Sequence, residues 1–316
     1  MLLPPTIDSH TLSLIRLAVR EDLGPVDQGP HAGTAGDRTV ELAIPADLRG
    51  SGAIVARRPG VISGTYLVET IVRLYAAAGE IQCRIETPDG SRVVPQQPVA
   101  VLQGPLRAIL SAERVLLNFL GHMSGIATLT RQYVDAIADV PEPRPVICDT
   151  RKTTPAFRVL DKYAVRCGGG VNHRLGLYDG VMLKDNHLAA LRRQLGQGLS
   201  LAQLTTAVRR QLAPDITLWL EVDTLDQLRE ELAGGGGADI VLLDNFTVDQ
   251  MRLAVEMRDK TQSKIKYQKS KILLEASGGV TLATLSAIAR TGVDRISIGA
   301  LTHSAPVLDL SLEVVA

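Results

Sequence analysis

Three cysteines in 316 residues, Cys83, Cys148 and Cys167, are too few and too scattered for a disulfide framework, and none sits in the C-x-x-C spacing of a zinc site. Reduced thiols and a cytoplasmic location are the expectation. Aromatic residues make up 3% of the chain, and 34 basic residues balance 34 acidic ones. A nucleic-acid partner is therefore disfavoured, since it calls for a basic face and rings on which bases stack. Long apolar runs are missing too. No window approaches ~18 unbroken apolar residues, so no membrane span is expected. The opening MLLPPTIDSH has no basic region ahead of an apolar core, so no signal peptide is expected.

The length exceeds what one average core needs and favours two domains, or one barrel with an added layer. The N-terminal third reads as α+β. Asp8 or Ser9 caps a helix running to about Asp22, with Leu12, Ile15, Leu17 and Val19 on its apolar side. Residues 24–37 are a Gly/Pro-rich loop, and β-like runs follow at 51–57, 81–86, 91–94 and 98–103, with a helix at 65–78. Asp89-Gly90 signals a hairpin turn. A long helical pattern covers 105–138, with Gly121 and Gly125 as candidate interruptions.

After residue 144 short apolar runs alternate with helical stretches: 145–149, 180–184, 217–222, 239–244, 272–277 and 294–299. That alternation is the pattern of a parallel sheet rolled into a barrel. The half-polar run 306–315 reads as a strand returning to the N-terminal sheet. In such barrels chemistry gathers at the C-terminal strand ends. Here those ends are Asp149 to Lys152, Lys184 to Asn186, Glu221, Asp244-Asn245, Glu275 to Gly279, and Ser297 to Gly299.

Between 149 and 187 lie Arg151, Lys152, Arg158, Lys162, Arg166, Arg174 and Lys184, with His173 and His187, a cationic density that the neutral whole does not foretell. Arginine pairs carboxylates in a fork and lysine offers a compact charge, so a substrate with several negative charges is implied. A solvated helix face accounts for Arg158 and Lys162 instead. Ser277-Gly278-Gly279 and Ser297-Ile298-Gly299 each close a strand before a helical segment, where backbone N–H groups can face phosphate. Glu221 and Asp244 are placed to hold ribose hydroxyls, or Mg²⁺ bound to pyrophosphate, unless they only pair with nearby cations.

The run DTRKTTPAFRVLDKYAVRCGGGVNHRLGLYDGVMLKDNH (149–187) closely resembles the signature of the quinolinate phosphoribosyltransferases. So do EDLG (21–24), GDRT (36–39), GVISG (60–64), ERVLLNFLGHMSGIAT (113–128), EVDTL (221–225), LLDNF (242–246), LEASGGVT (274–281) and ISIGALTHS (296–304), so the resemblance spans nearly the full length. It implies an α/β sandwich domain over 1–120, joined by the C-terminal strand 305–316, and a TIM-like α/β barrel, complete or incomplete, over 121–304. It implies transfer of phosphoribosyl from phosphoribosyl pyrophosphate to quinolinate with loss of CO₂, in de novo NAD biosynthesis. It further implies a homodimer, or a hexamer of such dimers, with shared active sites.

Carried over by resemblance, Thr150, Arg151, His173, Arg174 and Lys184 meet the quinolinate carboxylates, and Arg114 reaches in from the neighbouring subunit. Lys152, Glu221, Asp244, Ser277, Gly278, Gly279, Ser297, Ile298 and Gly299 meet the phosphoribosyl pyrophosphate, with His303 nearby. Lys152, Lys184, Glu221 and Asp244 carry the catalysis, and the two carboxylates meet Mg²⁺ directly or through Mg-pyrophosphate. Two segments depart from the family pattern: the expanded loop 25–35 and the lysine-rich connection 259–271, which reads as solvated. Two other readings stand beside this one: a related phosphoribosyltransferase acting on another aromatic acid such as nicotinate, and a non-catalytic metabolite sensor on the same scaffold.

Overall fold

The computed structural model describes residues 3–24, 36–76, 79–262 and 271–315. The loop at 25–35 lies outside the described residues, as does most of the lysine-rich connection at 259–271.

The chain opens with α1 (Ser9–Leu23), α2 (Arg38–Ala43), β1 (Arg49–Ala56), β2 (Gly60–Val61), α3 (Val68–Val72), β3 (Gln82–Ile85), β4 (Arg92–Val93), β5 (Pro98–Pro105) and α4 (Leu106–Asp135). Next come β6 (Val146–Cys148), α5 (Arg158–Cys167), β7 (Val181–Leu183), α6 (Asp185–Leu195), α7 (Leu201–Arg209), β8 (Leu218–Val222), α8 (Leu225–Ala233) and β9 (Ile240–Asp244). The last elements are α9 (Val248–Gln262), β10 (Leu273–Ser277), α10 (Leu282–Ala289), β11 (Arg295–Ser297), α11 (Ala300–His303) and β12 (Leu310–Val315). They fall into two units, one of Met1–Arg131, Thr153–Gly169 and Ala300–Ala316, the other of Gln132–Lys152 and Gly170–Gly299.

In the first unit a four-stranded antiparallel sheet has the order β12-β1-β5-β3, with Ile54 opposite Leu312 and Ala100. Asp8 is the cap of α1, accepting the Thr11 N–H at 2.8 Å. The buried stripe of α1 is Thr11, Ile15, Val19 and Leu23, four residues apart, whereas Leu17 is exposed. Leu17 sits two positions from Ile15, which on a helix is nearly the opposite face.

The long helix α4 does not break at Gly121 or Gly125. A Cβ on Gly125 would lie 2.1 Å from the Pro306 carbonyl oxygen, and Leu308 N–H donates to Gly121 O at 3.0 Å. The two glycines therefore let the 306–308 segment cross close to α4, rather than interrupting it.

Asp89-Gly90 forms a turn but not a hairpin, since β3 pairs with β5 while β4 pairs with β2. The Asp89 carboxylate accepts from Thr65 N–H and Oγ1 and from Tyr163 Oη, which ties the turn to other elements. Helix α4 runs through residue 120, where the sequence reading sets a domain boundary. The 153–169 segment also joins the first unit, because α5 buries Leu160, Tyr163, Ala164, Val165 and Cys167 there. Lys162 is buried as well, against its reading as part of a solvated face.

The second unit is one all-parallel sheet of six strands, order β6-β11-β10-β9-β8-β7. All six expected strands form, and their apolar runs are buried. Leu220, Val241, Leu243, Leu274 and Ile296 are fully enclosed, each adding roughly 1.5–3 kcal/mol of transfer free energy. Helices α7, α8 and α10 start at Ser200, Thr224 and Thr281, each closing a reciprocal capping box. Among the described residues no ladder joins β7 to β6. Val171 forms a lone parallel bridge to Cys148, so the 171–180 segment starts on the β6 edge and feeds into β7. The barrel is thus incomplete in its strands. Because all six run parallel, their C-terminal ends share one rim.

Candidate active site

Reading that rim in sheet order gives Arg151 and Lys152 after β6, Gly299 after β11, Ser277 to Gly279 at the end of β10 and just beyond it, Asp244 on β9, Glu221 on β8 and Lys184 after β7. Cations therefore occupy both edges, with carboxylates and glycines between them. Glu221 pairs in register with Leu242, so Asp244, two residues on, shares its face of the sheet. Lys184 follows Leu183, which registers with Leu220, and its Nζ bonds Glu221 Oε2. The side chains of Lys184 and Glu221 are 43% and 17% exposed, so the pair is open to a ligand.

Thr150 Oγ1 accepts the Lys152 N–H at 3.0 Å, shaping the turn that leaves Arg151 and Lys152 exposed. Across the gap, Arg174 Nη1 donates to Gly180 O at 2.9 Å, and Asp179 accepts the N–H groups of Leu175 and Gly176. Burial lowers the proton affinity of Arg174, the like charge of Arg151 lowers it further, and Asp179 opposes both. Two guanidiniums that disfavour each other make a place where an anion is welcome.

His173 lies below them, buried. Its backbone N–H donates to Asp149 Oδ1 at 2.8 Å, and its ring stacks on Trp219 with centroids 4.5 Å apart. His187 is occupied in capping, its Nδ1 accepting the Lys184 N–H at 3.1 Å.

Gly278 and Gly279 are exposed, with φ of 90° and 60°, ahead of the Thr281 cap of α10. Asn245 (φ 54°) donates its backbone N–H to Ser277 O at 2.9 Å and its Nδ2 to Asp244 Oδ2 at 2.8 Å, coupling the β9 and β10 ends. The β11 end is tied into the sheet. Ser297 Oγ donates to Ala276 O, and Ile298 N–H donates to Cys148 O. Both groups bond within the sheet, and Gly299 follows them at the rim. Arg114 and His303 belong to the first unit, where Arg114 stands exposed on α4, and exposed His303 Nδ1 contacts Ser304 Oγ at 2.6 Å.

Sequence reasoning left out Glu275 and Trp219. Glu275 appears only as a strand end there, yet it is fully buried beneath the rim. No group of three or more His, Cys, Asp or Glu is placed to hold a metal ion among the described residues. Glu221 and Asp244 supply carboxylate oxygens of the kind Mg²⁺ prefers, and a phosphate-bearing ligand would have to complete the coordination.

Residues 37–124 match the profile of the quinolinate phosphoribosyl transferase N-terminal domain, and residues 126–313 that of its C-terminal domain. The chain belongs to the quinolinate phosphoribosyl transferase family. It is 41% identical over 278 residues to the nicotinate-nucleotide pyrophosphorylase [carboxylating] of Mycobacterium leprae, covering 88% of this chain and 91% of that one. It is 35% identical over 316 residues to quinolinate phosphoribosyltransferase [decarboxylating] 1b of Nicotiana tabacum, covering 98% and 84% of the two chains. The solved nicotinate-nucleotide pyrophosphorylase of Francisella tularensis superposes with a TM-score of 0.80 at 33% identity, covering 98% of each chain. Family membership fits the rim: cations at the edges, a Lys-Glu pair, and glycines beside an aspartate.

Proposed function

We propose that this chain transfers the phosphoribosyl group of phosphoribosyl pyrophosphate to quinolinate, releasing pyrophosphate and CO₂ and forming nicotinate mononucleotide. The observation that carries this reading is the order of groups around one rim, in which Arg151, Arg174 and Lys184 flank Glu221, Asp244 and the Gly278-Gly279 turn.

The pyridine nitrogen attacks C1 of the ribose, and the C1–O bond to pyrophosphate breaks with its electron pair leaving on oxygen. Positive charge builds at C1 as that bond loosens, and Glu221 and Asp244 stabilise it. Gly278, Gly279 and Gly299 offer the rim's backbone to phosphate, with Lys152 beside them. Arg151, Arg174 and Lys184 hold the two carboxylates, and holding them turns the ring nitrogen towards C1. Thr150 and His173 belong to this carboxylate side. Once the nitrogen is quaternary, the bond from C2 to its carboxylate breaks. The electron pair stays on C2, CO₂ departs, and C2 takes up a proton.

Glu221 and Asp244 are also the residues that would hold Mg²⁺ with the phosphates, and the ion would supply charge stabilisation to the departing pyrophosphate. Arg114 comes from a partner copy in a homodimer or a hexamer of dimers, and His303 is a further expected contact for phosphoribosyl pyrophosphate. Cys83, Cys148 and Cys167 form no disulfide, and burial raises Cys167 to about 11, which suits a reducing, cytoplasmic setting. No described helix is long and apolar enough to cross a membrane.

Turnover of quinolinate should exceed that of nicotinate by at least about 100-fold, since a monocarboxylate leaves one cationic group unpaired. Turnover of nicotinate alone would overturn the substrate assignment.

A further inference from the structure

The carboxylate of Glu275 is fully buried inside the barrel and takes no part in the chemistry above. Its Oε2 accepts from Arg295 Nε at 2.9 Å, and its Oε1 faces His173 Nε2 at 3.5 Å. Oε1 carries no hydrogen bond among the described residues. The other ring nitrogen of His173 is engaged too: Nδ1 lies 2.7 Å from the Arg174 backbone nitrogen, whose N–H donates to it. A backbone N–H can only donate, so Nδ1 must be the bare nitrogen and the ring proton sits on Nε2, on the side of Glu275.

Protonating Nδ1 would set two N–H groups against each other at 2.7 Å. The side chain is 5% exposed, and Trp219 covers one ring face. The charged groups beside it are Glu275 on β10, whose other oxygen takes Arg295 of β11, and Asp149 after β6, which accepts the His173 backbone N–H. Arg295 already compensates Glu275. Burial lowers the Arg295 proton affinity, but Cys148, Glu275 and Asp149 outweigh it and raise it overall. The ring nitrogens thus face the Arg174 backbone on one side and Glu275 on the other.

We propose that Glu275 is a positioning residue of the carboxylate subsite: it holds His173 as the neutral Nε2–H tautomer, so that the ring orders the Arg174 backbone while Arg151, Arg174 and Lys184 supply the positive charge. This rests on the quinolinate reading above. It separates two roles the sequence merges, because His173 then acts through Arg174 rather than as a further cation.

Glu275→Gln tests it sharply. The position now held by Oε2 must keep an oxygen for Arg295 Nε, so the glutamine turns its NH₂ towards His173 Nε2–H. Two donors then meet. The imidazole must shift, or move its proton to Nδ1 against the Arg174 N–H. The KM for quinolinate should rise about tenfold or more, the scale of one unsatisfied buried donor beneath the subsite. The KM for phosphoribosyl pyrophosphate should stay within about twofold. A purely structural role would instead shift both KM values or only the melting temperature.

A second measurement does not depend on the variant folding. In the free ¹⁵N-histidine-labelled enzyme near neutral pH, with His173 assigned by loss of its signal in His173→Asn, the ring should show the neutral Nε2–H signature. An imidazolium or Nδ1–H signature would overturn the proposal, as would an unchanged quinolinate KM in folded Glu275→Gln. If the unmodified enzyme failed to turn over quinolinate at all, the functional reading would fall, while the tautomer would still be read independently.

Discussion

Gly278→Ala should damage this protein far more than Gly279→Ala, although the two glycines are neighbours on one turn and both have positive φ. A Cβ at Gly278 would lie 2.1 Å from Asn245 Oδ1 and 2.7 Å from its Cγ, whereas a Cβ at Gly279 meets nothing within 4 Å. Placing an L-residue in the left-handed region costs roughly 1–2 kcal/mol at either site. Only Gly278→Ala adds overpacking, about 1–3 kcal/mol more. Asn245 cannot yield freely, since its backbone N–H is bonded to Ser277 O and its side chain to Asp244 Oδ2. Displacing it moves the carboxylate proposed to face the ribose, and a misplacement of ~1 Å can cost about 100-fold in rate. Thermal unfolding followed by circular dichroism, with kcat measured at saturating substrates, reads both consequences. Gly278→Ala should melt several degrees below Gly279→Ala and turn over about 100-fold more slowly than the parent. Equal melting temperatures and equal kcat for the two variants would refute the coupling of β9 to β10 through Asn245.

Two further outcomes are expected. Glu231 is fully buried, accepts from Thr205 Oγ1 at 2.8 Å and Ala238 N at 3.1 Å, and burial raises its proton affinity above the ordinary value of 4.5. Because the folded state holds the proton more tightly, this group's contribution is complete below about pH 4.5 and is lost as pH rises through its raised value. Glu231→Gln should therefore gain melting temperature relative to the parent as pH rises over that range, and a pH-independent difference would refute the assignment. Mixing inactive Arg114→Ala with inactive Lys184→Ala protein should restore part of the activity, since the two defects segregate into different sites of a mixed dimer. No recovery after verified subunit exchange would count against a shared site.

Much of the second unit was legible in the sequence because short, mainly apolar runs such as Leu218–Val222 and Ile240–Asp244, alternating with helical patterns, read as buried strands, and their polar ends follow the chain's own order. The first unit was less legible. Asp89-Gly90 carries the local chemistry of a hairpin, but long-range bonds to Thr65 and Tyr163 decide its role. Gly121 and Gly125 look like breaks until the 306–308 segment is seen to need their missing side chains. Lys162 shares its spacing with a solvated face, and only the packing of α5 buries it. Within the site, the cations announced themselves by density. Glu275 did not, since one carboxylate in a strand carries no signal of what it faces; its partners Arg295 and His173 lie on other elements. Ser297 carried an ambiguous signal, because a hydroxyl at a strand end can bond the neighbouring strand as readily as a phosphate.

The central claim is tested most directly by release of labelled CO₂ from carboxyl-labelled quinolinate, with and without phosphoribosyl pyrophosphate. The account predicts CO₂ only when both are present, with pyrophosphate and nicotinate mononucleotide formed in equal amounts. Binding of both compounds without release of either CO₂ or pyrophosphate would contradict it and favour a sensor built on the same scaffold.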